Sequence, residues 1–111
     1  MASTTFRRHS VHWVELDPAR GSELRKTRPA VIVSRDELNA SLATVVVCPL
    51  TSAVHPGWPT RLQITLDGKE SEIAVDQIRV VSKERLVGKI GDLTARQVAD
   101  LRSVLRATYV D

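Results

Sequence analysis

The chain predicts an α+β fold that is mainly β, with roughly five to seven short strands curled into a small barrel and one C-terminal helix packed against it. Three features carry this expectation. Thr44–Leu50 is rich in valine and closed by Pro49 and Thr51-Ser52, the strongest strand pattern in the sequence. Leu62, Ile64 and Leu66 alternate with Gln63 and Thr65, after which Asp67-Gly68 supplies a hairpin turn and Glu72–Val75 pairs back. Thr94 and Gln97 form a capping box, flanked by a Leu93–Val98 hydrophobic staple. Val98, Leu101, Leu105 and Tyr109 then form one apolar helical stripe.

The remaining elements follow in chain order. Val11, Trp13 and Leu16 alternate imperfectly with His12 and Glu15, giving a first strand with Trp13 in the core; Asp17-Pro18 stops it. A polar, cation-rich loop leads to Arg28-Pro29, and Pro29–Val33 is apolar throughout, a second strand buried on both faces. Arg35–Ser41 predicts a helical turn with Ser34 as N-cap. His55-Pro56-Gly57-Trp58-Pro59 must be a loop. Ile78–Val81 is a further strand, Lys83–Leu86 a turn or helical segment, and Lys89–Gly91 a last short strand.

At 111 residues the chain predicts a single domain over 1–111, with residues 1–8 frayed. The net charge of +3 is modest, but Arg20, Arg25, Lys26 and Arg28 crowd one loop against Asp17 and Glu23. That loop and a pI near 9.5 suit an anionic partner such as RNA, although a basic solvated surface gives the same numbers. The single cysteine, Cys48, excludes an internal disulfide framework and reads as a buried, inert thiol. No apolar run approaches a membrane span and no signal-peptide core follows Arg7-Arg8, so a cytoplasmic protein is expected.

Few residue patterns fit cofactor chemistry. His9 and His12 lie three apart without the cysteines or acidic residues that would complete a metal site. No phosphate-cradling glycine loop or nucleophile elbow is present, so neither metal nor cofactor is expected. RNA offers a route that needs neither, because its own 2′-hydroxyl can attack the adjacent phosphorus. The protein must then align the attack, stabilise a dianionic pentavalent transition state and move two protons.

Proline at 29 biases Arg28 to extended geometry at the loop–strand junction, a rigid mount for a guanidinium that forks onto phosphate. Thr51 ends the valine-rich strand, where a threonine more often caps its own backbone. Trp58 either stacks on a base or folds onto its own barrel. With aromatics at 4%, an extended stacking platform is not available.

Five blocks, in order, resemble the MazF/PemK family of toxin endoribonucleases. They are Trp13-Val14-Glu15-Leu16-Asp17-Pro18, Gly21-Ser22-Glu23, Thr27-Arg28-Pro29-Ala30-Val31, Val46-Val47-Cys48-Pro49-Leu50-Thr51-Ser52 and Val75-Asp76-Gln77-Ile78-Arg79. The resemblance spans Trp13 to about Tyr109 and implies the small SH3-like, CcdB/PemK-type β-barrel. It implies a type II toxin that cleaves single-stranded mRNA sequence-selectively and without metal, leaving a 2′,3′-cyclic phosphate and a 5′-hydroxyl. It also implies a homodimer and a MazE-like antitoxin whose acidic C-terminal segment competes for the RNA groove.

Residue by residue, the family's cleavage pair falls on Arg28 and Thr51. Arg28 would neutralise the phosphorane and Thr51 would hydrogen-bond the scissile phosphate. Arg20, Ser22, Glu23 and Arg25 would meet flanking bases, and Ser52, His55, Asp76 and Gln77 complete the expected substrate contacts. Glu23, His55 and Asp76 are the candidates for assisting proton transfer, since arginine is a poor base. Some PemK-like members carry an arginine two residues before the aspartate; Ala74 stands there here, which favours the Arg/Thr arrangement. Two other readings stay open: a CcdB-like, gyrase-binding poison and a non-catalytic RNA-binding barrel.

Overall fold

The computed structural model describes residues 6–16 and 27–111. Its strands are β1 (Ser10–Glu15), β2 (Thr27–Ile32), β3 (Thr44–Thr51), β4 (Arg61–Leu66), β5 (Lys69–Ala74), β6 (Arg79–Ser82) and β7 (Leu86–Asp92). A short helix α1 (Asp36–Ser41) joins β2 to β3, and the C-terminal helix α2 (Ala95–Tyr109) closes the described chain. The strands form one seven-stranded sheet in the order β4-β5-β3-β2-β1-β7, with β6 paired to β3 off that path. This is the mainly β, α+β architecture that the sequence predicts.

β3 organises the sheet. Its first half pairs with β6 from Thr44↔Ser82 to Val47↔Arg79, and its last two residues pair with β5 through Leu50↔Ile73 and Thr51↔Glu72. The handover falls at Cys48-Pro49, where proline lacks the N–H that an unbroken ladder would require. Proline at 49 therefore marks a change of partner inside the strand rather than its end. The resulting bend separates β4–β5 from the rest of the sheet and gives the fold its curl.

Each sheet face buries its own cluster, as strand alternation requires. Val31, Val33, Cys48, Leu50, Ile64 and Ile73 pack with Leu93 and Leu101 under α2. Val14, Leu16, Ala30, Ile32, Val45, Val47 and Val81 form the opposite cluster. Cys48 is fully buried, and burial pushes its thiol up to about 12, which makes it inert as expected.

Three local expectations are met in detail. Asp67 and Gly68 both take positive φ, 52° and 77°, the conformation that a two-residue hairpin with matching twist demands. The Gln97 N–H donates to Thr94 Oγ1 at 3.1 Å while the Thr94 N–H donates to Gln97 Oε1 at 2.9 Å, completing the capping box. Tyr109 ends the α2 stripe with its hydroxyl donating to the Val75 carbonyl at 2.7 Å, tying the helix end to the sheet.

Others differ. Trp13 is 44% exposed rather than core, because β1 meets β7 with register irregularities on either side of His12-Trp13, which turn the indole out beside Gly88. Ser34 does not cap α1; Arg35 holds the N-cap position without a side-chain bond. The Ser34 hydroxyl instead donates to Asn39 Oδ1 and accepts from the Val46 N–H, bracing α1 on β3. β7 is also longer than Lys89–Gly91, since pairing with β1 carries through its two glycines. Among the described residues, no helix is long and apolar enough to cross a membrane.

The cap supplies a direct check. Thr94→Ala removes the acceptor of the Gln97 N–H in the first turn of α2 and is expected to cost about 1 kcal/mol, read as a lower midpoint in urea unfolding.

Candidate active site

Strand register assembles the site. Gln63, Glu72 and Thr51 lie directly opposite one another across β4, β5 and β3. The β2–β3 ladder pairs Ala30 with Pro49, and continuing that register two places puts Arg28 opposite Thr51. Facing residues on paired strands point to the same side, so Thr51, Glu72 and Gln63 form one polar row, with Arg28 on β2 two places beyond the last β2–β3 pair. Arg79 joins the same face from β6, beside Val47 of β3.

The row borders a depression of about 370 Å³ lined by Arg28, Thr51, His55, Arg61, Gln77 and Arg79, with Leu16, Pro49, Leu50 and Ala74 as its apolar floor. Arg28 is exposed and has no hydrogen-bond or ion-pair partner among the described residues. Arg79 is anchored through its Nη2, which donates to the Leu16 carbonyl at 3.3 Å. The Thr51 Oγ1 accepts from the Ala53 N–H at 3.1 Å. That is the backbone-capping habit of a threonine after a strand, and it leaves the hydroxyl proton free to donate.

One end of the depression is built on a buried ion network. Glu72 is fully buried, and its carboxylate has only acceptor capacity. Oε1 accepts from the His55 N–H at 2.5 Å and from Gln63 Nε2 at 2.6 Å. Oε2 accepts from Arg61 Nη1 at 2.8 Å and lies 3.0 Å from His55 Nδ1. Arg61 turns its Nε to Asp76 Oδ1 at 2.7 Å, which also accepts from Thr60 Oγ1 at 3.0 Å. Trp58 covers the group: its ring stacks on His55 with centroids 4.1 Å apart, and the Arg61 guanidinium carbon sits 4.9 Å from the Trp58 ring centre.

The electrostatics follow from these contacts. Burial alone would push the Glu72 carboxyl up, but the bonds from His55, Arg61 and Gln63 outweigh it and hold the group at about 2. The Arg61 hydrogen bond likewise holds Asp76 below the usual carboxylate range. Arg61 is raised in turn, chiefly by its bond to Asp76.

Of the residues expected from the sequence, Arg28, Thr51, His55 and Gln77 line one depression. Asp76 is taken up by Arg61 and Thr60, and Ser52 is exposed outside the lining. Arg20, Ser22, Glu23 and Arg25 lie outside the described residues. Trp58 is folded onto its own barrel, with 49% of its surface still open. Sequence reasoning missed Glu72, Arg61 and Arg79. A signal for Glu72 was present: the two-residue turn at Asp67-Gly68 sets the Gln63↔Glu72 pairing, and Gln63 belongs to the polar side of its strand.

The fold is a small, curled, mainly β half-barrel with a C-terminal helix, and an arginine- and threonine-lined depression lies on one face. A family model of the PemK-like, MazF-like toxins of type II toxin–antitoxin systems matches residues 7–109. The chain is 37% identical over 112 residues to Endoribonuclease MazF9 of Mycobacterium tuberculosis, covering 91% of this chain and 93% of that protein. It is 33% identical over 106 residues to Endoribonuclease MazF of Staphylococcus epidermidis, covering 90% and 88%.

Among solved structures, Mycobacterium tuberculosis toxin MazF-mt6 superposes with a TM-score of 0.76 at 24% identity, over 90% of this chain and 95% of that one. A MazE–MazF structure from Deinococcus radiodurans gives 0.77 at 22% identity, over 92% and 93%. These superpositions establish the fold. The chain belongs to the PemK-like, MazF-like toxin family of type II toxin–antitoxin systems.

The Glu72 network predicts an acid limit. A carboxyl lowered on folding from 4.5 to about 2 contributes stability that is complete above pH 4.5 and lost as pH falls towards 2. Urea midpoints across that window should fall steeply for the native chain and less steeply for Glu72→Gln. Glu72→Ala, which strands the Arg61 side of the network, should cost on the order of 3 kcal/mol at neutral pH.

Proposed function

We propose that this chain is the toxin of its toxin–antitoxin pair and acts, as a single domain, as an endoribonuclease. It cleaves single-stranded mRNA in a sequence-selective manner in the cytoplasm. The 2′-hydroxyl attacks the neighbouring phosphorus without a metal, leaving a 2′,3′-cyclic phosphate and a 5′-hydroxyl. The observation that carries this reading is the meeting of Arg28 and Thr51 at one depression, with the Arg28 guanidinium unpartnered among the described residues. An arginine locked in a structural ion pair is what a non-catalytic barrel would need, and Arg61 rather than Arg28 has that arrangement. The relatives named as MazF endoribonucleases support the same activity.

In this mechanism Arg28 faces the phosphate oxygens, where charge grows as the phosphorane forms. Thr51 donates its free hydroxyl proton to the scissile phosphate, its oxygen already oriented by the Ala53 N–H. Arg79 adds positive charge to the same face, and Gln77 offers an amide to base edges. The loop that carries Arg20, Ser22, Glu23 and Arg25 supplies contacts to flanking nucleotides. The active form is a homodimer, and an acidic segment of a MazE-like antitoxin competes with RNA for the cationic face. Structures of relatives described as MazE–MazF complexes support that partner.

The test is cleavage of a long unstructured RNA in excess EDTA, with the fragment ends mapped. Fragments with cyclic-phosphate ends are expected, and Arg28→Ala should lose about 3 kcal/mol of transition-state stabilisation, or more than 10²-fold in kcat/KM. Near-normal turnover by that variant, or cleavage only with added divalent ions, would overturn the assignment. Intact RNA with blocked gyrase supercoiling would point to a CcdB-like poison.

A further inference from the structure

Cleavage by the 2′-hydroxyl needs a group to take its proton, and neither Arg28 nor Thr51 is suited to that. A guanidinium stays protonated in proteins, and a threonine hydroxyl is a far weaker base than imidazole. Histidine is the side chain whose unperturbed titration lies near neutrality. His55 is the one histidine among the described residues that line the depression holding Arg28 and Thr51.

The geometry points to His55 as the general base of RNA cleavage, with its Nε2 taking the 2′-hydroxyl proton and the buried Glu72 carboxylate holding the ring as a positioning residue. This rests on the endoribonuclease reading above. Glu72 can only accept, so Nδ1, 3.0 Å from Oε2, carries the ring proton and donates it there. Arg61 Nη1 also comes within 3.3 Å of Nδ1, but it has a shorter bond of its own to Glu72 Oε2.

With Nδ1 protonated, Nε2 is the basic nitrogen, and it has no hydrogen-bond partner among the described residues. The residue is held three times over. Its backbone N–H is bonded to Glu72 Oε1, its Nδ1 to Glu72 Oε2, and its face is stacked on Trp58. A free basic nitrogen on a fixed ring is the arrangement general-base catalysis requires.

The proton and bond changes balance. The 2′-oxygen forms a bond to phosphorus as its proton passes to Nε2, and the bond from phosphorus to the 5′-oxygen breaks. The leaving 5′-oxygen takes a proton from water, and the imidazolium returns its proton to the resulting hydroxide. The charged groups that bear on His55 are Glu72 on β5, Arg61 on β4 and Asp76 acting through Arg61. Arg28 and Arg79 line the same depression.

The experiment measures kcat/KM for a short single-stranded oligoribonucleotide in EDTA from about pH 5 to 9, with native chain, His55→Asn and Glu72→Gln. The asparagine amide can still donate to Glu72 in place of Nδ1 but offers nothing in place of Nε2. It should therefore retain the native melting temperature while kcat/KM falls about 10²–10⁴-fold, loses its acid limb and recovers in part with added imidazole. Glu72→Gln should keep the limb and lower kcat rather than raise KM, because the ring is then positioned by an amide oxygen in place of a carboxylate.

An acid limb and rate unchanged in His55→Asn, while the native chain cleaves and Arg28→Ala does not, would overturn the role of His55 and leave the endoribonuclease reading standing. RNA left intact by the native chain would remove both.

Discussion

A carboxylate removed from water needs donors on every side, and Glu72 is the group that sets this requirement here. Its oxygens take bonds from His55, Arg61 and Gln63, and each bond constrains a different piece of chain. The His55 N–H pins the loop between β3 and β4, Arg61 fixes the start of β4, and Gln63 sits directly across the hairpin. A loop containing Pro56, Gly57 and Pro59 has little regular structure to hold it, so these bonds and the Trp58 stack determine its path. Removing a donor would leave part of a buried charge unanswered, which makes the arrangement all-or-none on the scale of a few kcal/mol.

The sheet contributes by register. Gln63, Glu72 and Thr51 share a row because antiparallel pairing places facing residues on one side, and Arg28 lines the same depression from β2. Leu62, Ile73 and Leu50, one step away in each strand, face the core under α2. Sliding any of these strands by one position would exchange the two sets and bury the polar row. Hydrophobic burial on the α2 side thus fixes the polar geometry on the other. Pro49 assists, because the partner change it permits turns the end of β3 toward the β4–β5 hairpin and brings Thr51 into line with Glu72.

Local patterns in the sequence revealed the elements well and the site in part. Arg28 and Thr51 were visible because each sits at a strand end marked by a neighbouring proline, and the blocks around them are distinctive. The β4–β5 hairpin and the α2 cap were visible because turn and cap chemistry is confined to a few residues. Glu72 was not singled out, since a glutamate in Lys69-Glu70-Ser71-Glu72 has the composition of a solvated edge and becomes buried only when the His55 loop folds over it. Arg61 read as the polar start of a strand for the same reason. Trp13 misled because alternation assumes an unbroken ladder, and the β1–β7 irregularities break it at that residue. Ser34 was a sound cap by local rules, but its hydroxyl is taken by Asn39 within α1 and by the Val46 N–H of β3.

Three arginines line the depression, and their surroundings divide them. Arg61 lies between Glu72 and Asp76, two carboxylates that offset its charge. Arg79 is tethered to a carbonyl, which orients it without cancelling its charge. Arg28 is unpartnered among the described residues, so its full charge faces outward. The uncompensated positive charge of the depression therefore lies on Arg28 and Arg79, while Arg61 serves as the internal counter-ion of Glu72 and Asp76.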